Sequence, residues 1–136
     1  MNPSRVKFYR RLFTGAGTYD LLLGITFTVF PARAYAALGI GDKLPAFGGY
    51  LTLLGAFVLV LGIAYFLIAR SDLRRNRDLI LIGAFYKLAY AVTAFYYWAQ
   101  GSLPHVLFGA LFGAADAVFF LLMAECWLAL GKTSHR

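Results

Sequence analysis

The sequence predicts an all-α fold: one domain built as a bundle of four transmembrane helices. Three observations predict it. The chain has 136 residues, of which 61% are hydrophobic and only 14% charged, well below the ~25% charged residues of a soluble domain. Its apolar residues gather in four runs, near 12–30, 47–69, 79–99 and 106–130. Each is near or above the ~20 residues a helix needs to cross hydrocarbon. Its basic residues gather in short polar segments between and around those runs. Transmembrane strands are excluded by pattern, because they would be ~10 residues of alternating polarity and these runs do not alternate.

The first run follows a basic lead of Arg5, Lys7, Arg10 and Arg11. It should end at Pro31, since proline disfavours helical geometry in the residue before it. The lead and Ala32-Arg33-Ala34 resemble a cleaved signal sequence. The run is longer than the ~7–15 residues of such a segment and contains Asp20, so a retained span is expected. In the connection 31–46, residues 32–38 are expected to form a short interfacial helix with Arg33 among the headgroups. Gly39, Gly41 and Pro45 then break the chain. The second run closes on Arg70, and 71–78 (SDLRRNRD) is a short solvated loop. The third run leads to a tight turn, Gly101-Ser102-Leu103-Pro104-His105, and the fourth follows it.

Charge placement sets orientation. Ten of the thirteen Lys and Arg are Arg5, Lys7, Arg10, Arg11, Arg70, Arg74, Arg75, Arg77, Lys132 and Arg136, all on one side of the bundle. The other side holds only Arg33 and Lys43. The positive-inside rule places both termini in the cytoplasm; in a bacterium the protein would lie in the inner membrane. The net charge of +7 does not point to nucleic acid, because apolar runs interrupt the basic segments and leave no continuous basic face.

Small residues mark the inward faces. Gly48, Gly55 and Gly62 recur every seven residues on the second run, and a heptad returns nearly to the same face of a helix. Gly109 and Gly113 form a GxxxG on the fourth run, which Asp116 continues. Gly17, Asp20 and Gly24 share a face on the first; Gly83, Lys87, Tyr90, Ala94 and Tyr97 share one on the third. In lipid, small residues let helices approach closely, so these stripes read as packing faces; Gly109/Gly113 could alternatively serve a dimer.

Asp20, Lys87 and Asp116 are charges deep inside apolar runs, where they need partners. Asp20 lies eight residues past Leu12, and Lys87 eight past Leu79. At 1.5 Å per residue both sit about 12 Å from the same side. Equal depth predicts an Asp20–Lys87 pair. Asp116 enters from the other side at about 15 Å, within reach of the lysine stem, as a surplus carboxylate. With two carboxylates facing one ammonium, one carboxyl is expected to hold a proton. Tyr86 and Tyr90 flank Lys87, complete the intramembrane polar cluster, and could stack on a flat ligand. Glu125, near the inner end of its run, reads as a pairing residue.

Other chemistry is narrowed by scarcity. Cys126 is the sole cysteine, so no internal disulfide or thiol-pair redox chemistry is available. His105 and His135 both lie outside mid-span, which rules out a bis-histidine haem inside one bundle. A Cys/His zinc site lacks ligands, and no metal or cofactor is predicted, although a quinone or lipid could bind. Aromatic residues form 18% of the chain; Tyr96, Tyr97, Trp98 and Trp127 sit where interfacial belts are expected.

The layout resembles the DoxX-like group of small four-span bacterial membrane proteins. The similarity is carried by RRLFTGAGTYDLLLGITFTVFP in the first span, LGIGDKLP in the outer connection and GYLTLLGAFVLVLGIAYFLIAR in the second span. It implies a four-helix membrane protein; some members of that group accompany redox enzymes, including a quinone-linked sulfur oxidoreductase. The resemblance carries no catalytic motif to transfer.

The leading functional expectation is a non-catalytic subunit or helper of a larger membrane assembly, in contact with lipid and self-associated or joined to partners. Short loops leave no soluble domain for chemistry. The alternatives are a binder of a small hydrophobic ligand, quinone or lipid, within the bundle, or a small proton-coupled transporter or channel. Prolines are missing from the span interiors, which argues against broken-helix transport. A four-span enzyme is the least favoured, kept open only by Asp20, Lys87, Tyr86 and Tyr90.

Overall fold

Asn2 starts the first helix. In a computed structural model that describes residues 1–132, its extended backbone places the side-chain oxygen to accept the Ser4 N–H at 3.1 Å, and Pro3 follows at the first helical position. Proline loses nothing there, because that N–H has no intrahelical partner. Helix α1 (Pro3–Val29) therefore begins nine residues before the apolar run near Leu12. Hydropathy marks where lipid begins, whereas the helix continues through the basic lead. Pro31 ends α1 as predicted, and α2 (Pro31–Ala37) is the expected short helix in the connection between the first two spans. Gly39 closes α2 at φ 71°, where the Ile40 N–H reaches the Tyr35 carbonyl and the Gly39 N–H reaches that of Ala36. Glycine fits this left-handed cap without a Cβ clash.

Helix α3 (Gly49–Arg70) and helix α4 (Arg77–Ala99) follow, joined by the short polar loop. Gly101, at φ 66°, caps α4 in the same way as Gly39 caps α2. The Nδ1 of His105 then accepts the Leu107 N–H at 3.1 Å and starts the last helix. His105 is thus the cap of this helix. Helix α5 (Val106–Lys132) is not uniform: Gly109–Ala115 is wound as a π-helix before the α-helical Asp116–Lys132. The sequence pattern did not announce this segment. All four long helices are long and apolar enough to cross a membrane, and the described residues contain no strand. Arg136 and His135 lie outside the described residues.

The long helices alternate in direction around the bundle in the order α1, α3, α4, α5. The α1–α3 pair packs most closely, and the reason is glycine. A methyl group on Gly17 would lie 3.0 Å from the Gly62 carbonyl oxygen, and one on Gly24 would lie 2.9 Å from that of Gly55. Only backbones without side chains approach this far. Gly48 does not join this seam. It is exposed, with nothing near its α-carbon. In the antiparallel register that pairs 17 with 62 and 24 with 55, position 48 would face Pro31, where α1 has already ended. Gly109 and Gly113 are also filled from within the chain. Trp98 of α4 covers the first and Phe95 the second, their rings stacked 6.2 Å apart at 9°. That packing sets the GxxxG face of α5 against α4.

Two apolar clusters make the core. One lies towards the N-terminal end, with Tyr9, Phe13, Tyr65, Ile68, Ile80, Met123 and Cys126. The other, at the α2 end, is formed by Phe27, Tyr35, Ile40 and Leu51. Cys126 is fully buried filler in the first cluster.

Candidate functional site

Between the two clusters, Asp20, Lys87 and Asp116 are 1%, 0% and 2% exposed. The Lys87 ammonium donates to Asp20 Oδ1 at 2.6 Å and to Asp116 Oδ1 at 3.0 Å. The pairing expected from depth is present, and Asp116 is a second partner of the same ammonium. Burial of such charges is tolerable only with this degree of mutual satisfaction. The Oδ2 of Asp20 is buried without a hydrogen-bond partner.

Rings complete the ammonium's surroundings. Its nitrogen lies 4.8 Å from the Tyr19 ring centre, 5.2 Å from Phe119, 5.3 Å from Tyr86 and 5.7 Å from Tyr65. Aromatic faces attract a desolvated cation through their quadrupole. Every long helix thus contributes: Tyr19 and Asp20 from α1, Tyr65 from α3, Tyr86 and Lys87 from α4, Asp116 and Phe119 from α5. The hydroxyl of Tyr65 donates to the Gly83 carbonyl at 2.8 Å, and that of Tyr19 to the Leu111 carbonyl at 2.6 Å. Leu111 lies in the π-helical stretch, so Tyr19 ties α1 to the irregular part of α5. Tyr19, Tyr65 and Phe119 were not singled out from sequence. Tyr19 adjoins Asp20, but in so aromatic a chain adjacency alone does not separate a cage from core filler.

Tyr90, one turn towards the α2 end, packs edge-on against Tyr86 at 5.0 Å and lies tilted against Phe112 at 5.6 Å. It borders a cavity of about 190 Å³ whose other walls include Phe27, Tyr35, Thr93, Tyr97 and Phe108. A second cavity, of about 220 Å³, lies under α2 between Leu23, Ala34, Leu38 and Leu111. The two share Phe27, Tyr35, Phe108 and Phe112. Burial raises the pKa of the Tyr35 hydroxyl in this shared wall, so it stays a neutral donor. Asp20, Lys87 and Asp116 line neither cavity.

Glu125 pairs elsewhere. It accepts from Arg5 and from the Tyr9 hydroxyl of α1, fastening the last helix to the first near their basic end. Arg77 lies over the Trp127 ring at 4.3 Å and donates to its carbonyl. Among the described residues no cluster of three or more His, Cys, Asp or Glu could hold a metal ion.

In comparisons with known proteins, no family model, no curated protein and no solved structure matches this chain.

Proposed function

We propose that this is a non-catalytic integral membrane protein that seats a small, flat hydrophobic ligand of the quinone or lipid class in the outer half of its bundle, as a subunit or helper of a larger membrane assembly. Both termini lie in the cytoplasm, and in a bacterium the bundle sits in the inner membrane. The observation that carries the reading is the aromatic wall of Phe27, Tyr35, Phe108 and Phe112 shared by two cavities. Each cavity exceeds the ~150 Å³ that accommodates a benzene ring in a protein interior. Ligand sites are mostly apolar, and the walls of both cavities are almost wholly apolar. The DoxX-like resemblance supports the same ligand class. The buried ion cluster supports a non-catalytic role, because its charges are engaged with one another and line neither cavity.

Native mass spectrometry of protein extracted in mild detergent tests this. The wild type should carry a quinone or lipid mass, and Ala34→Trp, which fills the cavity under α2, should lose most of it while keeping the wild-type melting temperature. Wild-type protein that carries no such mass and takes up none of an added ubiquinone analogue would overturn the ligand. A partner protein retained in the same spectrum would support the assembly role.

A further inference from the structure

At the opposite end of the bundle, a cavity of about 400 Å³ opens between the start of α1 and the α3–α4 loop. Its charged wall is built by Arg10 of α1, Arg70 at the end of α3, and Arg74 of the loop. Arg10 is held towards the loop, its Nη2 3.5 Å from the Ser71 carbonyl oxygen. Among the described residues neither Arg70 nor Arg74 has a carboxylate partner within ion-pair distance. The acidic residue in the wall, Asp72, turns its Oδ1 onto the Arg74 backbone N–H at 2.9 Å. Three guanidinium groups against one carboxylate leave a surplus of two positive charges. The remaining wall is apolar and includes Val6, Leu73 and Leu130.

The combination is specific. A solvated basic surface has no need of an apolar floor, and a hydrophobic pocket has no need of three arginines. Guanidinium groups bind phosphate oxygens in a forked, charge-assisted geometry. Basic pockets between transmembrane helices suit anionic headgroups. The geometry points to a binding site for a phosphate group, presented by an anionic phospholipid whose acyl chains start against Val6 and Leu73. Arg5 and Arg77 are not available to it, being engaged with Glu125 and Trp127. Lys7, Arg11 and Arg75 carry the same charge but lie outside the cavity wall.

That last distinction supplies the control. Delipidated full-length protein is melted in detergent with phosphatidylglycerol, phosphatidylcholine or inorganic phosphate, and lipid retention is counted by native mass spectrometry. Phosphatidylglycerol should raise the melting temperature and be retained at least five-fold more than phosphatidylcholine. The R10Q/R70Q/R74Q variant should lose that preference while melting normally without lipid. The K7Q/R11Q/R75Q variant, with an equal loss of charge, should keep it. A full shift with inorganic phosphate alone would support the phosphate site with a soluble phosphate as its source, and no shift with it would assign the lipid. Equal loss in both triple variants would overturn the proposal, reducing the effect to net charge. So would equal retention of the two lipids by the wild type. If R10Q/R70Q/R74Q melts poorly without lipid, R70Q alone serves, with a retention loss of two-fold or more expected and unchanged retention counting against the site.

Discussion

Lys87 is held by two carboxylates and four rings in a place that excludes bulk water. Removing one member of a buried pair costs more than the pair contributes, because a bare charge remains. Lys87→Met should therefore destabilise the bundle by ~3–5 kcal/mol, read as a lower midpoint in detergent unfolding. The triple change Asp20→Asn, Lys87→Met and Asp116→Asn should recover most of that loss; failure to recover would mean that the charges do more than satisfy one another. The tyrosine hydroxyl bonds to Gly83 and Leu111 are smaller terms, since interhelical hydrogen bonds in membranes average ~0.6 kcal/mol. The three charges were legible because ionisable groups are rare in apolar runs and helix rise converts sequence position into depth. The cage was not. With thirteen Phe and nine Tyr in the chain, every helix face offers rings, and only packing chooses which four surround the ammonium.

At the scale of the helix, glycine divides into positions that touch and positions that do not. Gly24→Ala and Gly55→Ala place a methyl group against backbone and should each cost ~1–3 kcal/mol through overpacking. Gly15, with open space around it inside α1, should behave in the opposite sense. Gly15→Ala should stabilise by ~0.5–1 kcal/mol, because alanine restricts the unfolded chain and favours the helix. Steric trapping or denaturant titration in micelles distinguishes the two signs. The seven-residue spacing revealed the inward face of α3, and Gly55 and Gly62 lie on it. It overran at Gly48 because periodicity extrapolates along one helix and knows nothing of where its partner stops. The π-helical turns of α5 were illegible for a related reason. The small residues of GALFGAA tolerate several windings, and the Trp98, Phe95 and Tyr19 contacts accompany the one observed.

For the whole molecule, orientation is the property that charge placement predicts most directly. With Cys126 buried and changed to Ala, a cysteine at Ser102 should react with a membrane-impermeant maleimide added to intact cells, and one at Ser71 should react only after lysis. The reverse pattern would invert the bundle. The four-helix architecture was legible because a bilayer permits few solutions to the backbone's hydrogen-bonding demand. The interhelix order was not, since hydropathy fixes each span separately.

The ion cluster also constrains how the protein is made. Asp20 enters the membrane with the first helix, but its ammonium partner lies 67 residues further along the chain. The glycine seam on α3 arrives before Lys87 does. The nascent first helix must therefore carry a lone carboxyl through the translocon stage, where an aspartate at a helix centre costs roughly 2.5–3.5 kcal/mol. Its earliest shelter is the α1–α3 hairpin, held by close backbone contact and needing no charge. Chain order puts the small-residue seam first and the ion cluster second, because Lys87 and Asp116 come only with α4 and α5. A chain truncated after α3 would leave Asp20 without its ammonium partner.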